Sequence, residues 1–183
     1  RRQRQMCIRD RPDLFRGLER APVIGDALIA RYETFAKTTG ANLDFDRFYF
    51  LGSGARYGLA GELSLKMKEM TLTHSEPFHF LEFRHGPQSM VGADTVVVGL
   101  LSDMNRKLEA RVLAEMRGLG AMTLTLGESD TDIAFDSGLP EACRNVLYLP
   151  VMQLLVYYRA LAKGLNPDRP RNLEAVVKLA WGA

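Results

Sequence analysis

The 183-residue chain is 46% hydrophobic and 25% charged, which is enough apolar matter for one sizeable core and most simply one domain. Its formal net charge of +2 conceals an asymmetry: residues 1 to 11 carry five arginines and one aspartate, a sum of +4, leaving −2 for residues 12 to 183. A body of that sign is not a nucleic-acid binder by charge. The two cysteines, Cys7 and Cys143, make neither a disulfide framework nor a CxxC metal site, so a reducing cytoplasm is the expected compartment.

The opening Arg1 to Arg11 has no apolar period, no hydrophobic signal region and no small-residue cleavage site. It reads as an artefactual or disordered tail, the competing reading being a basic binding arm, and the domain is placed at 12 to 183. A first helix is predicted over Leu18 to Lys37, with Pro22 near its start and Gly40 at its end. The aromatic run Arg47 to Leu51 predicts a strand. It runs into Gly52-Ser53-Gly54, a turn whose glycines permit the close backbone approach of a strand-to-helix ligand loop.

Ala55 to Met70 is a good helix, with Leu59, Leu63, Met67 and Met70 as its buried stripe. Glu62, Lys66 and Glu69 stand at i, i+4 and i+7, so two carboxylates and an ammonium line up beside that stripe. On base rates such a row is an exposed ion-paired face worth a few tenths of a kcal/mol per pair. The Gly-Ser-Gly turn is equally ambiguous alone, because GxG turns are common without a phosphate and this one lacks the third glycine of a dinucleotide fingerprint.

Thr71 to Phe78 is short and extended, with Pro77 marking a strand end or edge. His79 to Met90 reads as a short helical or irregular loop, and His85-Gly86-Pro87 within it could be only a turn. His74, Glu76 and His79 fit no structural zinc spacing, so neither a metal nor another cofactor is expected.

Thr95 to Leu101 is nearly all apolar, as in a strand buried on both faces of a parallel sheet. Ser102-Asp103 is expected to cap a helix over Arg106 to Leu119, and Met122 to Leu126 is another strand. Gly127 to Asp130 is a loop, Asp132 to Phe135 a last short strand, and Cys143 to Lys163 a long apolar helix kinked by Pro150 and ended by Gly164. Its apolar core is too short to span a bilayer. Asn172 to Trp181 is predicted as a final short helix.

Strands alternating with helices imply an α/β three-layer sandwich with a mainly parallel sheet flanked by helices. Loops after the strands should then gather at the carboxyl edge, where such sheets bind ligands. A site of Ser53, Glu69 and His85 is expected there, with Ser102 a further candidate.

The strings Phe50-Leu-Gly-Ser-Gly54, Gly61-Glu-Leu-Ser-Leu-Lys-Met-Lys-Glu69, Glu82-Phe-Arg-His-Gly-Pro87 and Asp168-Arg-Pro-Arg-Asn-Leu173 together resemble the sugar isomerase (SIS) domain. Their order and spacing are most similar to the second SIS half of the isomerase module of glucosamine-fructose-6-phosphate aminotransferase and its single-function relatives. The resemblance implies that Glu69 moves a proton between C1 and C2 of an open-chain hexose 6-phosphate, with Lys66 beside it. It further implies that Glu62 lines the site, and Gly52, Ser53 and Gly54, as the strand-to-helix ligand loop, are expected to bind substrate. His85 would assist ring opening across a dimer interface. An enediol-type intermediate suits one carboxylate as shuttle and a cation for the developing oxyanion.

Two departures are visible. The lysine that follows the family's Arg-Asn-Leu string is replaced by Ala175, with Lys178 a turn further on, and neither the first SIS half nor a glutaminase domain is present. The expectation is therefore half of a phosphosugar site in a cytoplasmic, homodimeric isomerase, deaminase or aminotransferase-like enzyme without membrane or nucleic-acid partners. The alternative is a non-catalytic module that senses phosphosugars.

Overall fold

The computed structural model describes residues 12–173, so the tail 1–11 and nearly all of the predicted final helix lie outside the described residues. The elements are α1 (Pro12–Ala41), β1 (Arg47–Gly52), α2 (Ala55–Thr71), β2 (His74–Phe78), α3 (Phe80–Phe83), β3 (Thr95–Leu100), α4 (Arg106–Gly118), β4 (Met122–Gly127), β5 (Ile133–Ala134), α5 (Glu141–Arg144) and α6 (Pro150–Ala162). The five strands form one sheet of order β2-β1-β3-β4-β5 in which every pairing is parallel. This is the predicted three-layer α/β sandwich, and β2 with its Pro77 is an edge strand, as expected.

Alternation along the strands divides the core in two. Phe48 and Phe50 of β1 join Val96 and Val98 of β3 beneath α1, α2 and α6. Tyr49 and Leu51 turn the other way, with Val97, and pack under α3 and α4 through Phe80, Phe83, Leu113 and Met116. Both faces of the central strands are covered, which is why their sequences read as continuous apolar runs.

Three predicted boundaries are corrected. Helix α1 begins six residues before Leu18 and keeps Pro22 inside it, at an exposed position where the carbonyl that loses its partner reaches solvent. It also runs through Gly40, where any β-carbon would stand 2.4 Å from the Leu155 carbonyl oxygen; the glycine serves close packing on α6 and not termination. The supposed long helix Cys143–Lys163 is broken into α5, a 3-10 turn at Asn145–Tyr148, and α6. Pro150 opens α6 at its first turn, where a missing N–H costs nothing, instead of kinking a continuous helix. The end at Gly164 is as predicted: the N–H groups of Gly164 and Leu165 donate back to the carbonyls of Leu161 and Ala160.

Two buried side chains tie the layers. Arg159 is 1% exposed; its Nε donates to the Thr73 hydroxyl at 2.8 Å, its Nη1 to the Asn42 carbonyl at 2.9 Å and its Nη2 to the Phe45 carbonyl, while the guanidinium lies 5.0 Å from the Phe48 ring centre. Burial pushes its pKa down from the ordinary value. Arg159→Met should destabilise the fold by roughly 2–4 kcal/mol, because two carbonyls lose their donors in a dry interior. Urea unfolding measures this, and a loss below about 0.5 kcal/mol would show that the bonds carry no net weight.

Tyr148, 2% exposed, donates its hydroxyl to the Leu101 carbonyl. Burial pushes its phenol up to about 12 from the ordinary 10. The neutral phenol is therefore favoured by the fold, and this stability is present below pH 10 and is lost as pH rises through 12. The expected loss is roughly 2–3 kcal/mol across that window. Tyr148→Phe should flatten this alkaline limb in unfolding curves, and an unchanged limb would remove Tyr148 as its source.

Candidate functional site

Helix α2 connects two parallel strands, so it runs antiparallel to them. Its N-terminus therefore lies at the carboxyl edge of the sheet and its C-terminus at the amino edge. At the start, Gly54 adopts φ 60° and a β-carbon on Gly52 would stand 2.4 Å from the Arg56 carbonyl oxygen, so both glycines are needed for the turn. The Ser53 and Gly54 carbonyls accept the first amides of the helix, from Arg56 and Tyr57.

The first turn of α2 joins an ion-pair network that sequence reasoning missed. Arg56 Nη1 donates to Glu141 Oε1 at 2.7 Å, and the Asp103 amide donates to the same oxygen at 3.1 Å. Arg144, its side chain 3% exposed, reaches Asp103 and, at 3.0 Å, Glu128. Burial works against the Arg144 charge, but its bonds to Glu128 and Asp103 hold its pKa above the ordinary value. Burial likewise opposes the Glu128 charge, yet bonds from Ser137, Arg144 and the Gly138 amide hold its carboxyl below the usual range. The signal in the sequence was positional: Glu128 directly follows β4, and Asp103 comes three residues after the end of β3.

Ser102 is buried beside this network. Its amide and hydroxyl both donate to Glu109 Oε2, at 2.6 and 3.1 Å, and the Asn105 amide donates to its hydroxyl at 2.9 Å. The cap position of α4 is Asn105 and not Ser102-Asp103, because the chain spends one further turn before the helix begins. Ser102 thus supports that turn.

Lys66 and Glu69 lie towards the other end of α2, with Glu62 midway along it. Lys66 Nζ bonds Glu69 Oε2 at 3.0 Å and stands 3.7 Å from Glu62 Oε1, and all three side chains are between a quarter and two fifths exposed. The bond to Glu69 raises the Lys66 pKa, so the ammonium is retained. The helix ends at Leu72 in a left-handed conformation, and Lys163 Nζ donates to the last carbonyl, Thr71, at 2.9 Å. A cavity of about 190 Å³ opens there, lined by Glu69, Leu72, Gly164, Asn166, Arg169 and Arg171 among others.

At 1.5 Å per residue, Glu69 stands about 22 Å along the helix from Gly54. The structure thus separates Glu69 from Gly52, Ser53 and Gly54, and one hexose 6-phosphate does not span that gap within one chain. The sequence expectation gathered Ser53, Glu69 and His85 at the carboxyl edge. The direction of the crossover helix defeats it.

His85 lies on the other face of the sheet. It is an exposed turn residue after α3, its amide donating to the Glu82 carbonyl at 2.9 Å, and Gly86 beyond it takes φ 141°. The Arg84–Glu115 pair at 2.9 Å fastens this turn to the last part of α4, towards the amino edge. Glu69 projects from the layer over Phe48 and Phe50, whereas His85 follows the segment packed on Tyr49 and Leu51. The sheet stands between them. His79 stacks on Tyr57 with ring centres 4.2 Å apart, and His74 meets the Tyr49 ring edge-on at 6.3 Å.

With this geometry described, similarity to known proteins can be placed on it. The SIS domain family matches residues 44–153, which includes every strand, the α2 row and His85. Glutamine–fructose-6-phosphate aminotransferase [isomerizing] from Sulfolobus acidocaldarius is 34% identical over 177 residues, covering 92% of this chain and 29% of that protein. Among solved structures, glucosamine-6-phosphate deaminase from Thermotoga maritima aligns with a TM-score of 0.71 at 30% identity, over 88% of this chain and 48% of the other. Tagatose-6-phosphate ketose/aldose isomerase from Escherichia coli aligns at 0.71 with 25% identity, over 92% and 48%. The chain therefore spans less than a third of the length of the aminotransferase and about half of the other two. Sequence match, parallel five-stranded sheet and helix layers agree, and the chain belongs to the SIS domain family.

Proposed function

We propose that the protein carrying this chain is a hexose or hexosamine 6-phosphate enzyme of the aldose–ketose isomerase, deaminase or aminotransferase type, with Glu69 as its proton shuttle. The observation that carries this reading is the Glu69 carboxylate beside Lys66 at the mouth of a small cavity, on a firmly anchored helix end. The printed names of the relatives converge on sugar 6-phosphates, and each names chemistry at the carbonyl end of such a sugar or of its amino form.

In the open-chain sugar, the Glu69 carboxylate removes the proton on the carbon next to the carbonyl. The C–H electron pair becomes the C=C bond of an enediol, and the carbonyl π pair moves to oxygen. Return of the proton to the neighbouring carbon, with the proton of the neighbouring hydroxyl passing to the oxyanion, exchanges ketose for aldose. Lys66 supplies positive charge for the developing oxyanion and holds the Glu69 carboxylate in place. Glu62, on the far side of Lys66, fixes the ammonium from the opposite direction.

The Gly52-Ser53-Gly54 turn, with the Arg56–Glu141 pair beside it, serves in this proposal to start α2 and does not touch the sugar held at Glu69. His85 belongs in the proposal to the site of a second copy, which makes the working unit a homodimer; the relatives are metabolic enzymes, and a cytoplasmic setting fits. Among the described residues no helix is long and apolar enough to cross a membrane.

Incubation with fructose 6-phosphate in deuterated water tests the reading. Solvent deuterium should appear at C1 or C2 of the sugar phosphate, detected by mass spectrometry and NMR. Binding without exchange would replace the enzyme by the phosphosugar-sensing module.

A further inference from the structure

Among the described residues, four that are not glycine take a positive φ: Leu72 at 52°, Asp130 at 46°, Asp136 at 48° and Asn172 at 62°. Three of these are aspartate or asparagine, whose short polar side chains tolerate the left-handed region. Leu72 is the exception. It follows the last residue of α2 and closes the helix, its amide donating to the Lys68 carbonyl at 3.0 Å. Glycine, or less often asparagine, is the usual residue at such an end, because a β-carbon there is strained.

Packing does not offset that strain. Leu72 is 47% exposed and belongs to neither apolar cluster of the core. It lines instead the cavity that Glu69 lines, together with Leu165 and Pro170. The residue before it is held firmly, since Lys163 donates to the Thr71 carbonyl at 2.9 Å. A bulky apolar side chain is thus kept, at a cost in backbone strain, on an anchored turn three residues from a carboxylate. Backbone strain of this kind gathers where function uses it.

A shuttle that takes a proton from one carbon and returns it to the next must keep that proton between the two steps. The C–H electron pair goes into the C=C bond, the proton becomes the O–H of the Glu69 carboxylic acid, and it then bonds to the neighbouring carbon. Water that reaches the acid in the interval replaces the proton with one of its own, and no other bond changes. An apolar side chain beside the acid slows that replacement by excluding water.

We propose that Leu72 shields the Glu69 cavity from water and so decides how much of the transferred proton comes from the sugar and how much from solvent. The proposal rests on the reading of Glu69 as the shuttle and adds the residue that sets the fate of its proton.

Conversion of fructose 6-phosphate by the complete protein in deuterated water tests it, with deuterium at C2 of the aldose product read by mass spectrometry and NMR over the first few turnovers. The parent should give partly deuterated product. Leu72→Gly should raise the deuterated share roughly twofold or more, because water then reaches the acid. It should melt no lower than the parent, since glycine suits the left-handed backbone. Leu72→Asn should behave like Leu72→Gly, whereas Leu72→Met, apolar and of similar volume, should keep the parental share. A parental share in Leu72→Gly, or an equal rise in Leu72→Met, would overturn the proposal and leave Glu69 in place. A clear fall in the melting temperature of Leu72→Gly would make Leu72 a packing residue and overturn it as well. A parent that neither converts nor exchanges the sugar would remove the shuttle itself, and this role with it.

Discussion

Replacing Glu69 with glutamine in the complete protein should lower turnover by roughly 10²- to 10⁴-fold, the usual contribution of a positioned general base. The change keeps the shape of the side chain and deletes only its ability to take a proton. Glu69 lies at a partly exposed position, and its one strong bond is to Lys66 at 3.0 Å. The melting temperature should therefore move little, since a partly exposed pair contributes about 0–1 kcal/mol. KM should also stay near its parent value, so that the loss falls on kcat. A variant with undiminished turnover would mean that the row Glu62, Lys66, Glu69 is only an ion-paired helix face.

Glu69→Ala and His85→Ala homodimers should each be nearly inactive, whereas verified heterodimers of the two should recover towards half of parental activity. The argument is topological. Glu69 belongs to the layer above Phe48 and Phe50, His85 to the turn after the layer above Tyr49 and Leu51, and the sheet separates them. In the proposed site the two residues therefore come from different chains. A mixed dimer then has one site with both residues intact and one with neither. Activity is read after separating tagged heterodimers and correcting for subunit exchange. Failure to recover in such preparations would remove His85 from the reaction.

Much of the architecture was legible because the strands advertise burial on both faces. Thr95 to Leu101 could hardly be anything but a central parallel strand, and it is one, with all six residues of β3 buried. The α2 row was legible from spacing alone. What spacing does not carry is which end of the sheet a helical residue reaches. Ser53 and Glu69 are near in sequence, but fifteen residues of helix in an antiparallel crossover carry one to the opposite edge from the other. The Arg56, Glu141, Arg144 network was hidden for a related reason: its members are 85 residues apart in the chain and meet only because loops after different strands converge. Pro150 misled through its context, since a proline within an apolar run reads as a kink unless a second helix begins there. The SIS strings pointed to Glu69 as the proposed shuttle; the structure supplies its surroundings.

Both ends of α2 are fastened. The Arg56–Glu141 pair secures the first turn, Lys163 secures the last by donating to the Thr71 carbonyl, and Thr73 just beyond it accepts from the buried Arg159. A reacting group on a loop must lose its freedom each time a substrate binds, and that loss is part of the barrier. Glu69 loses its freedom once, when the chain folds, so the orientation it needs is settled before any sugar arrives. With Glu69 as the proposed shuttle, the same fastening would make Arg159 a remote determinant of rate. Slackening it would widen the range of positions open to the carboxylate without touching the cavity, and the loss would appear as a more negative activation entropy in place of a higher activation enthalpy.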